Sequence, residues 1–294
     1  NEVEKIYKKR IQLILVGDLS QLPPVCTKNE ENTIKNLWGK SIKDKFFYTA
    51  PSFDMFNFKT LFLYEVKRTS SVDYTYHTNK IRTGDISVLD YYNRFVDVNY
   101  SNEKYMDYTH LCPLRKQVDK INKEYIDAHR EQVRTIYAEN NEGKLIETNK
   151  LEIFEGMQIM FNRNTDRFSN GTRGTIKVIG EDYIEIEIAQ TQTIVRCKKM
   201  IIENEENMGR NYVKQYPIEV AHAITIHKSQ GQTLDKCVMH TGCFEVGQAY
   251  TALTRVSDPS NFVLTRELCN KEIKIAKEVL IEKRPEIWED ELNS

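Results

Sequence analysis

The sequence predicts an α/β protein, a parallel sheet flanked by helices, with a small all-β module set into it. Three observations carry this. The run IQLILVG at 11–17 is short, almost continuously apolar and closes on Gly17 and Asp18, the pattern of a strand buried on both faces of a parallel sheet. From about 151 to 196 the period changes to short alternating or apolar runs, broken at Asn170 and Gly171 and again at Gly180, Glu181 and Asp182, which is barrel-like spacing. Beyond about 215, strand-like and helix-like runs alternate again.

Taken in order, TLFLYE at 60–65 is a second apolar run leading into Val66, Lys67, Arg68 and Thr69. A helix follows over about 72–83, stopped by Gly84, and Val88, Tyr92, Phe95 and Val96 mark another by their spacing. YTHLC at 108–112 reads as a buried strand. Pro113 suits a helix first turn, with Leu114, Val118, Ile121 and Tyr125 as its apolar stripe. The β module runs through 157–161, 174–179, 183–188 and 193–196, and the polar stretch 203–214 reads as irregular. Strands are then expected at 218–224, 236–240 and 261–265, and helical segments at 225–230 and 245–255. The latter has Val246, Ala249, Tyr250 and Leu253 as its stripe, and a last helix is expected at 270–283.

A chain of 294 residues suggests about two domains. Its 42 Lys and Arg nearly balance 43 Asp and Glu, so a nucleic-acid partner would need a local basic channel rather than a global charge. No apolar run approaches the roughly 20 residues that cross a bilayer, so no membrane partner is expected. The six cysteines are scattered without a Cys-x-x-Cys pair, which reads as a reducing, intracellular setting. Cys237, His240 and Cys243 lie close together, but zinc wants four ligands at orderly spacing and the intervening residues look like a buried strand. They read as core thiols, and no metal site is assigned. The chain begins with Asn and shows no signal segment, which reads as a piece of something longer.

Three segments carry chemistry. In GDLSQLPPV at 17–25, Pro23 and Pro24 stiffen a loop after a strand and hold Gln21 in a fixed direction with little entropy left to lose. A neutral amide there can donate to a phosphate oxygen and later release it; a turn that merely ends a strand has the same sequence. In AHAITIHKSQGQTLD at 221–235, Thr225 is placed to cap a short helix and Gly231 to end it. Thr225, His227, Lys228, Ser229 and Gln230 thus crowd phosphate-suited donors at one corner, although each alone reads as a solvated side chain. In GQAYTALTRV at 247–256, Arg255 lies off the apolar stripe near Gln248 and Thr251, free to reach a ligand, or else complementing a helix dipole.

In this order, with a β-rich insertion among them, the three segments resemble motifs III, V and VI of superfamily 1 DNA helicases of the RecD/PIF type, the petite integration frequency family. DLSQLPP matches their motif III loop, IHKSQGQT motif V and QAYTALTR motif VI, where Ser is more usual than Thr254. FLYEVKRT at 62–69 resembles motif IV, with Arg68 at its arginine but Lys67 and Thr69 in place of the usual flanking Phe and Gln. GMQIM at 156–160 and NGTRG at 170–174 resemble the SH3-like subdomain inserted in the second RecA-like domain.

The resemblance covers nearly the whole chain. It implies RecA-like parallel-sheet domains, the first incomplete, divided as the end of the first domain (1–70), the start of the second (71–150), an SH3-like insert (151–214) and the rest of the second (215–294). It further implies ATP and Mg2+ in a cleft between domains, single-stranded and forked duplex DNA as partners, and movement from 5′ to 3′. By position, Gln21, Arg68 and Arg255 would be catalytic at the γ-phosphate, Asp18, Gln230 and Gly231 would line the nucleotide, and Thr225, His227, Lys228 and Ser229 would serve the DNA. A guanidinium delivered across a cleft to a transferring phosphoryl group is worth on the order of 10³ to 10⁵ in rate.

Two parts of such an enzyme are not found. Gly39, Lys40 and Ser41 imitate the end of a phosphate-cradling loop, but Ile34 stands where its first glycine is required. No strand ends in the Asp-Glu pair that would hold magnesium. Both are expected ahead of Ile11 in a complete member, so this chain alone is expected neither to bind ATP tightly nor to hydrolyse it. A second reading is a non-catalytic remnant that binds nucleic acid or protein through the β module and the 225–229 corner. KKR at 8–10 and RCKK at 196–199 allow that reading, although such clusters are more often solvated surface.

Overall fold

A four-stranded, all-parallel sheet organises the molecule, built from Ala223–Thr225, Thr109–Cys112, Cys237–Met239 and Phe262–Leu264 in that spatial order. The computed structural model describes residues 12–39, 65–203 and 212–276, with isolated positions at 5, 6, 8, 53, 58, 59, 61 and 63. In chain order the helices are α1 (Lys28–Trp38), α2 (Val72–Arg82), α3 (Leu89–Asn93), α4 (Arg115–Ala128) and α5 (Gln248–Leu253). The strands are β1 (Thr109–Cys112), β2 (Arg134–Glu139), β3 (Leu145–Ile153), β4 (Gln158–Phe161), β5 (Arg173–Ile179), β6 (Ile184–Ile188) and β7 (Ile194–Cys197). They continue as β8 (Met200–Glu203), β9 (Tyr212–Gln215), β10 (Ile218–Val220), β11 (Ala223–Thr225), β12 (Cys237–Met239) and β13 (Phe262–Leu264).

Strands β1 and β12 are buried at every residue, as the apolar runs predicted. One core packs α2, α3 and α5 on this sheet through Tyr74, Ile81, Tyr92, Leu111, Met239 and Leu253. A second core belongs to the antiparallel sheet β10-β4-β5-β6-β7, where Ile184, Ile186 and Ile188 turn inward while Glu185 and Glu187 turn outward. A third sheet, β3-β2-β9-β8, takes in 134–153 and 212–215, stretches in which no strand was expected.

The run 218–224, expected as one strand, is two: β10 pairs antiparallel with β4, and β11 pairs parallel with β1. Buried Ala221 and His222 carry the chain from one sheet to the other. An apolar run cannot mark that crossing, because both sheets want apolar residues.

Several expectations need correction. Residues 12–16 form no strand, and Ile14 and Val16 are 71% and 90% exposed. A strand exists through its ladder, and among the described residues none lies beside it. Leu61 and Leu63, from the second apolar run, are exposed as well, and residues 60, 62 and 64 of that run lie outside the described residues. Leu114 precedes α4 rather than belonging to its stripe, and is exposed. The helix expected at 88–96 is a 3-10 turn followed by the short α3, and that at 225–230 is a single 3-10 turn, His227–Ser229. Of the last helix only a 3-10 turn, Asn270–Glu272, is seen; 277–283 lie outside the described residues, as do Lys40 and Ser41. Helix α1 was not anticipated, although Thr27 and Glu30 form a capping box and Gly39 closes it in the left-handed region. Among the described residues, no helix is long and apolar enough to cross a membrane.

Where the parallel sheet meets the β module, three buried histidines cluster. His110 Nδ1 and His240 Nε2 share a hydrogen bond of 3.0 Å, and Gln117 reaches His240 Nδ1 at 3.1 Å. His222 stacks on Tyr125, with neither ring nitrogen hydrogen-bonded. Burial depresses all three, His110 to about 4 and His222 and His240 to about 3. Cys237 and Cys243 are free thiols, and among the described residues no group of three or more potential ligands is placed to hold a metal.

Candidate functional site

The loop after residue 17 is folded by its own aspartate and fastened to α5. Asp18 Oδ1 accepts from the Ser20 amide at 3.0 Å, and the Gln21 amide donates to the Asp18 carbonyl at 3.1 Å, closing a tight turn. Asp18 Oδ2 accepts from the Tyr250 hydroxyl at 3.0 Å and lies 3.4 Å from Gln21 Nε2, while Arg82 Nε stands 3.6 Å from Oδ1. The Leu22 amide donates to Thr251 Oγ1 at 3.0 Å. At Gly247, ahead of α5, φ is +73°, and a Cβ there would fall 2.5 Å from the Gln21 backbone. Only glycine permits both the left-handed turn and this approach.

Arg255 lies at the centre of the contact. The expectation that packing leaves it free is wrong, since all six residues of α5 are buried and Arg255 itself is 1% exposed. All five of its N–H groups meet neutral acceptors. Nε donates to the Thr251 carbonyl at 2.8 Å, and Nη1 to the carbonyls of Ser229 and Gln232, both at 3.3 Å. Nη2 donates to Thr254 Oγ1 at 2.8 Å and to Gln21 Oε1 at 3.4 Å. Among the described residues no carboxylate lies within ion-pairing reach. Burial, and then the neighbouring Arg68, lower its pKa to about 10, while Tyr250 and Asp18 act in the opposite sense.

Arg68 donates from Nε to Thr233 Oγ1 at 3.0 Å and from Nη1 to the Thr254 carbonyl at 2.8 Å; burial lowers its pKa also. Gln230 Nε2 holds the Leu22 carbonyl at 3.0 Å, and Gly231, with φ +77°, has open space on its Cβ side. Gln21, Arg68, Arg255, Asp18 and Gln230 therefore share one neighbourhood. A buried cation without an ion pair is costly, and Arg255, with the half-buried Arg68 next to it and exchangeable neutral acceptors on both, makes a site suited to an anion.

The second group of expected residues separates. The Thr225 hydroxyl accepts from the Lys228 amide at 3.2 Å, and both residues line a groove of about 460 Å3 between α4, β3, β10 and β11. His227 Nε2 instead lies 2.9 Å from Glu245 Oε2 in the loop before α5. Ser229 is buried and donates its hydroxyl to the Ile226 carbonyl at 2.7 Å, so it does not share the surface of Thr225 and Lys228. Its carbonyl is one of the three that Arg255 grips, which joins the groove to the arginine through a single turn. The sequence reading missed Tyr250, Thr251 and Gly247 as the seat of the 18–22 loop. Their place within one short motif with Arg255 was the available signal. It also missed Glu219, for which the sequence holds no signal, because its partner Lys228 is met across two sheets.

No family model matches the chain. An ATP-dependent DNA helicase Pif1 of Campylobacter jejuni is 30% identical over 283 residues, covering 85% of this chain and 61% of the relative. One of Bdellovibrio bacteriovorus is 29% identical, covering 84% and 56%. The chain thus spans little more than half the length of these relatives. A structure of two coordinating Pif1 helicases unwinding forked double-stranded DNA superposes with a TM-score of 0.76 at 25% identity, over 95% of this chain and 68% of that one. Bacteroides Pif1 bound to single-stranded DNA superposes with a TM-score of 0.75 at 24% identity, over 95% and 69%, and shares the fold.

Proposed function

We propose, from the premise that this chain is a homologue of the Pif1-type superfamily 1 helicases with their RecA-like fold, that it is the C-terminal portion of an ATP-dependent DNA helicase. Such an enzyme would couple ATP hydrolysis to 5′-to-3′ movement along a single strand and to opening of a forked duplex. The observation that supports this best is the meeting of Gln21, Arg68 and Arg255, distant in sequence, around a buried guanidinium that has only neutral partners. Arg68 and Arg255 share Thr254 as a partner, the first at its carbonyl and the second at its hydroxyl, and so make one electropositive corner for a triphosphate tail.

In that role Arg255 exchanges Gln21 Oε1 and Thr254 Oγ1 for phosphate oxygens without breaking an ion pair, and so meets growing negative charge with little reorganisation. Asp18 and Tyr250 hold the loop that aims the Gln21 amide. Burial keeps the Tyr250 phenol protonated, so that it remains the donor to Asp18. These residues fit a phosphate tail. Mg2+ is another matter: among the described residues the carboxylate at this corner, Asp18, is already taken up by Ser20, Tyr250 and Arg82. The metal-holding acids and the phosphate loop would lie on a segment other than residues 12–276, and Mg2+ held there would offset phosphate charge. The isolated chain is accordingly ATPase-inactive in this reading, and its free cysteines suit an intracellular setting. Thr225 and Lys228 take strand phosphates in the groove, with His227 and Ser229 bracing the turn that carries them.

The test is to join residues 12–294 to the N-terminal part of the Campylobacter jejuni relative and to measure ATPase activity with and without single-stranded DNA. The chain alone should be silent and the joined protein should hydrolyse ATP when DNA is added. A folded joined protein without DNA-stimulated hydrolysis counts against the reading.

A further inference from the structure

Most of the cations that line the groove beside Thr225 are paired with carboxylates of the same groove. Lys228 Nζ is paired with Glu219 Oε1. Glu152 takes both Arg130, at 2.7 Å, and Lys150, at 3.3 Å, and Asp119 takes Arg115 at 3.3 Å. Lys228 stands apart from the others because it belongs to the turn whose Ser229 carbonyl Arg255 holds. Glu219 sits within β10, facing Met160 of β4 in the antiparallel register, so its carboxylate is mounted on a sheet. The lysine reaches it on a long, flexible stem.

We propose that Glu219 is the resident counter-ion of Lys228, a carboxylate standing in for a strand phosphate, so that the strand is gained and released by exchanging one anion for another. This rests on reading the groove as the track of a single strand. With the side chains of Lys228 and Glu219 38% and 29% exposed, the pair is accessible to solvent and weak enough for a polyphosphate backbone to open. When a phosphate takes Lys228, the freed Glu219 draws a cation from solvent and offsets the counter-ion that the strand gives up. The hold is thereby loosened and made less dependent on salt. When the phosphate leaves, Lys228 returns to Glu219 instead of recapturing the same strand position. A motor that must release each phosphate it grips needs this property.

The experiment is fluorescence anisotropy of a labelled oligothymidylate with this chain across a range of salt concentrations, for wild type, Glu219→Gln, Lys228→Ala and the double variant. Glu219→Gln should bind about three- to fivefold tighter at low salt and steepen the slope of log K against log salt by about 0.7. Lys228→Ala should weaken binding and flatten the slope, and adding Glu219→Gln to it should change nothing further. Glu219→Met makes the same charge change by a second route should the glutamine variant lose its thermal transition. If the Glu219 variants leave affinity and slope unchanged while Lys228→Ala weakens binding, the counter-ion proposal is overturned and the track reading stands. If Lys228→Ala has no effect, or no binding is measurable at low salt, both are overturned.

Discussion

Arg255 and Lys228 meet on one short turn, Arg255 gripping the carbonyl of Ser229, yet their charges are handled in opposite ways. Arg255 is buried with neutral acceptors on every N–H group, whereas Lys228 faces solvent and a carboxylate. A buried, unneutralised cation is expensive to maintain and rewards a ligand that brings charge and geometry together. An exposed, neutralised one is cheap and binds weakly by exchange. The difference separates a corner built to recognise one chemical group from a surface built to let many similar groups pass.

The largest expected effect breaks the first corner and spares the second. In the joined protein Arg255→Ala should lower ATP turnover by roughly 10³ while leaving single-strand affinity nearly unchanged. Loss of both together would mean that the two corners are not separable. Acid attacks the scaffold they share. The folded values of His110, His222 and His240 lie well below the ordinary value near 6.5, so the unfolded chain takes up protons that the fold refuses. Stability is therefore full above about pH 6.5 and falls as pH drops toward about 4, by on the order of 1 kcal/mol per pH unit for each histidine. Urea midpoints at pH 7.5 and 5.5 check this, and His222→Phe should reduce the difference.

A smaller effect is expected at Gly247. Gly247→Ala strains a left-handed backbone and drives a methyl group into the Gln21 backbone, and should cost about 2 kcal/mol. Thermal midpoint and limited proteolysis across 18–25 report whether the loop undocks, which would disturb Arg255 without touching Lys228. Smallest is Tyr250→Phe, which removes one hydrogen bond to Asp18 and should cost about 1 kcal/mol, read from the same midpoint. Together with the Glu219 variants, these sharpen the division of labour between the corners.

Much of this is legible in the sequence. Buried strands such as β1 and β12 announce themselves as apolar runs, and the isoleucine alternation of β6 gives its period directly. Residues 12–16 have the same composition but remain exposed, because a run predicts the wish to be covered and not the presence of a neighbour. The crossing at Ala221 and His222 was hidden because two sheets share one hydrophobic vocabulary. At the site, Gln21, Arg68 and Arg255 were named from their motifs, but not that Arg255 would be wholly enclosed. A six-residue helix has no polar face to spare when every side packs. The hairpin β2–β3 was missed despite the turn at Asn140, Asn141 and Gly143, since its strands are largely exposed and carry little apolar pattern.

The claim beneath all of this is that Arg68 and Arg255 act on the same phosphoryl group. A double-mutant cycle on DNA-stimulated ATP turnover in the joined protein, with Arg68→Ala, Arg255→Ala and the pair, measures their coupling directly. The predicted result is strong non-additivity, the second loss adding far less than it does alone. Independent, multiplying losses, or an Arg68 variant with undiminished turnover, would contradict the account.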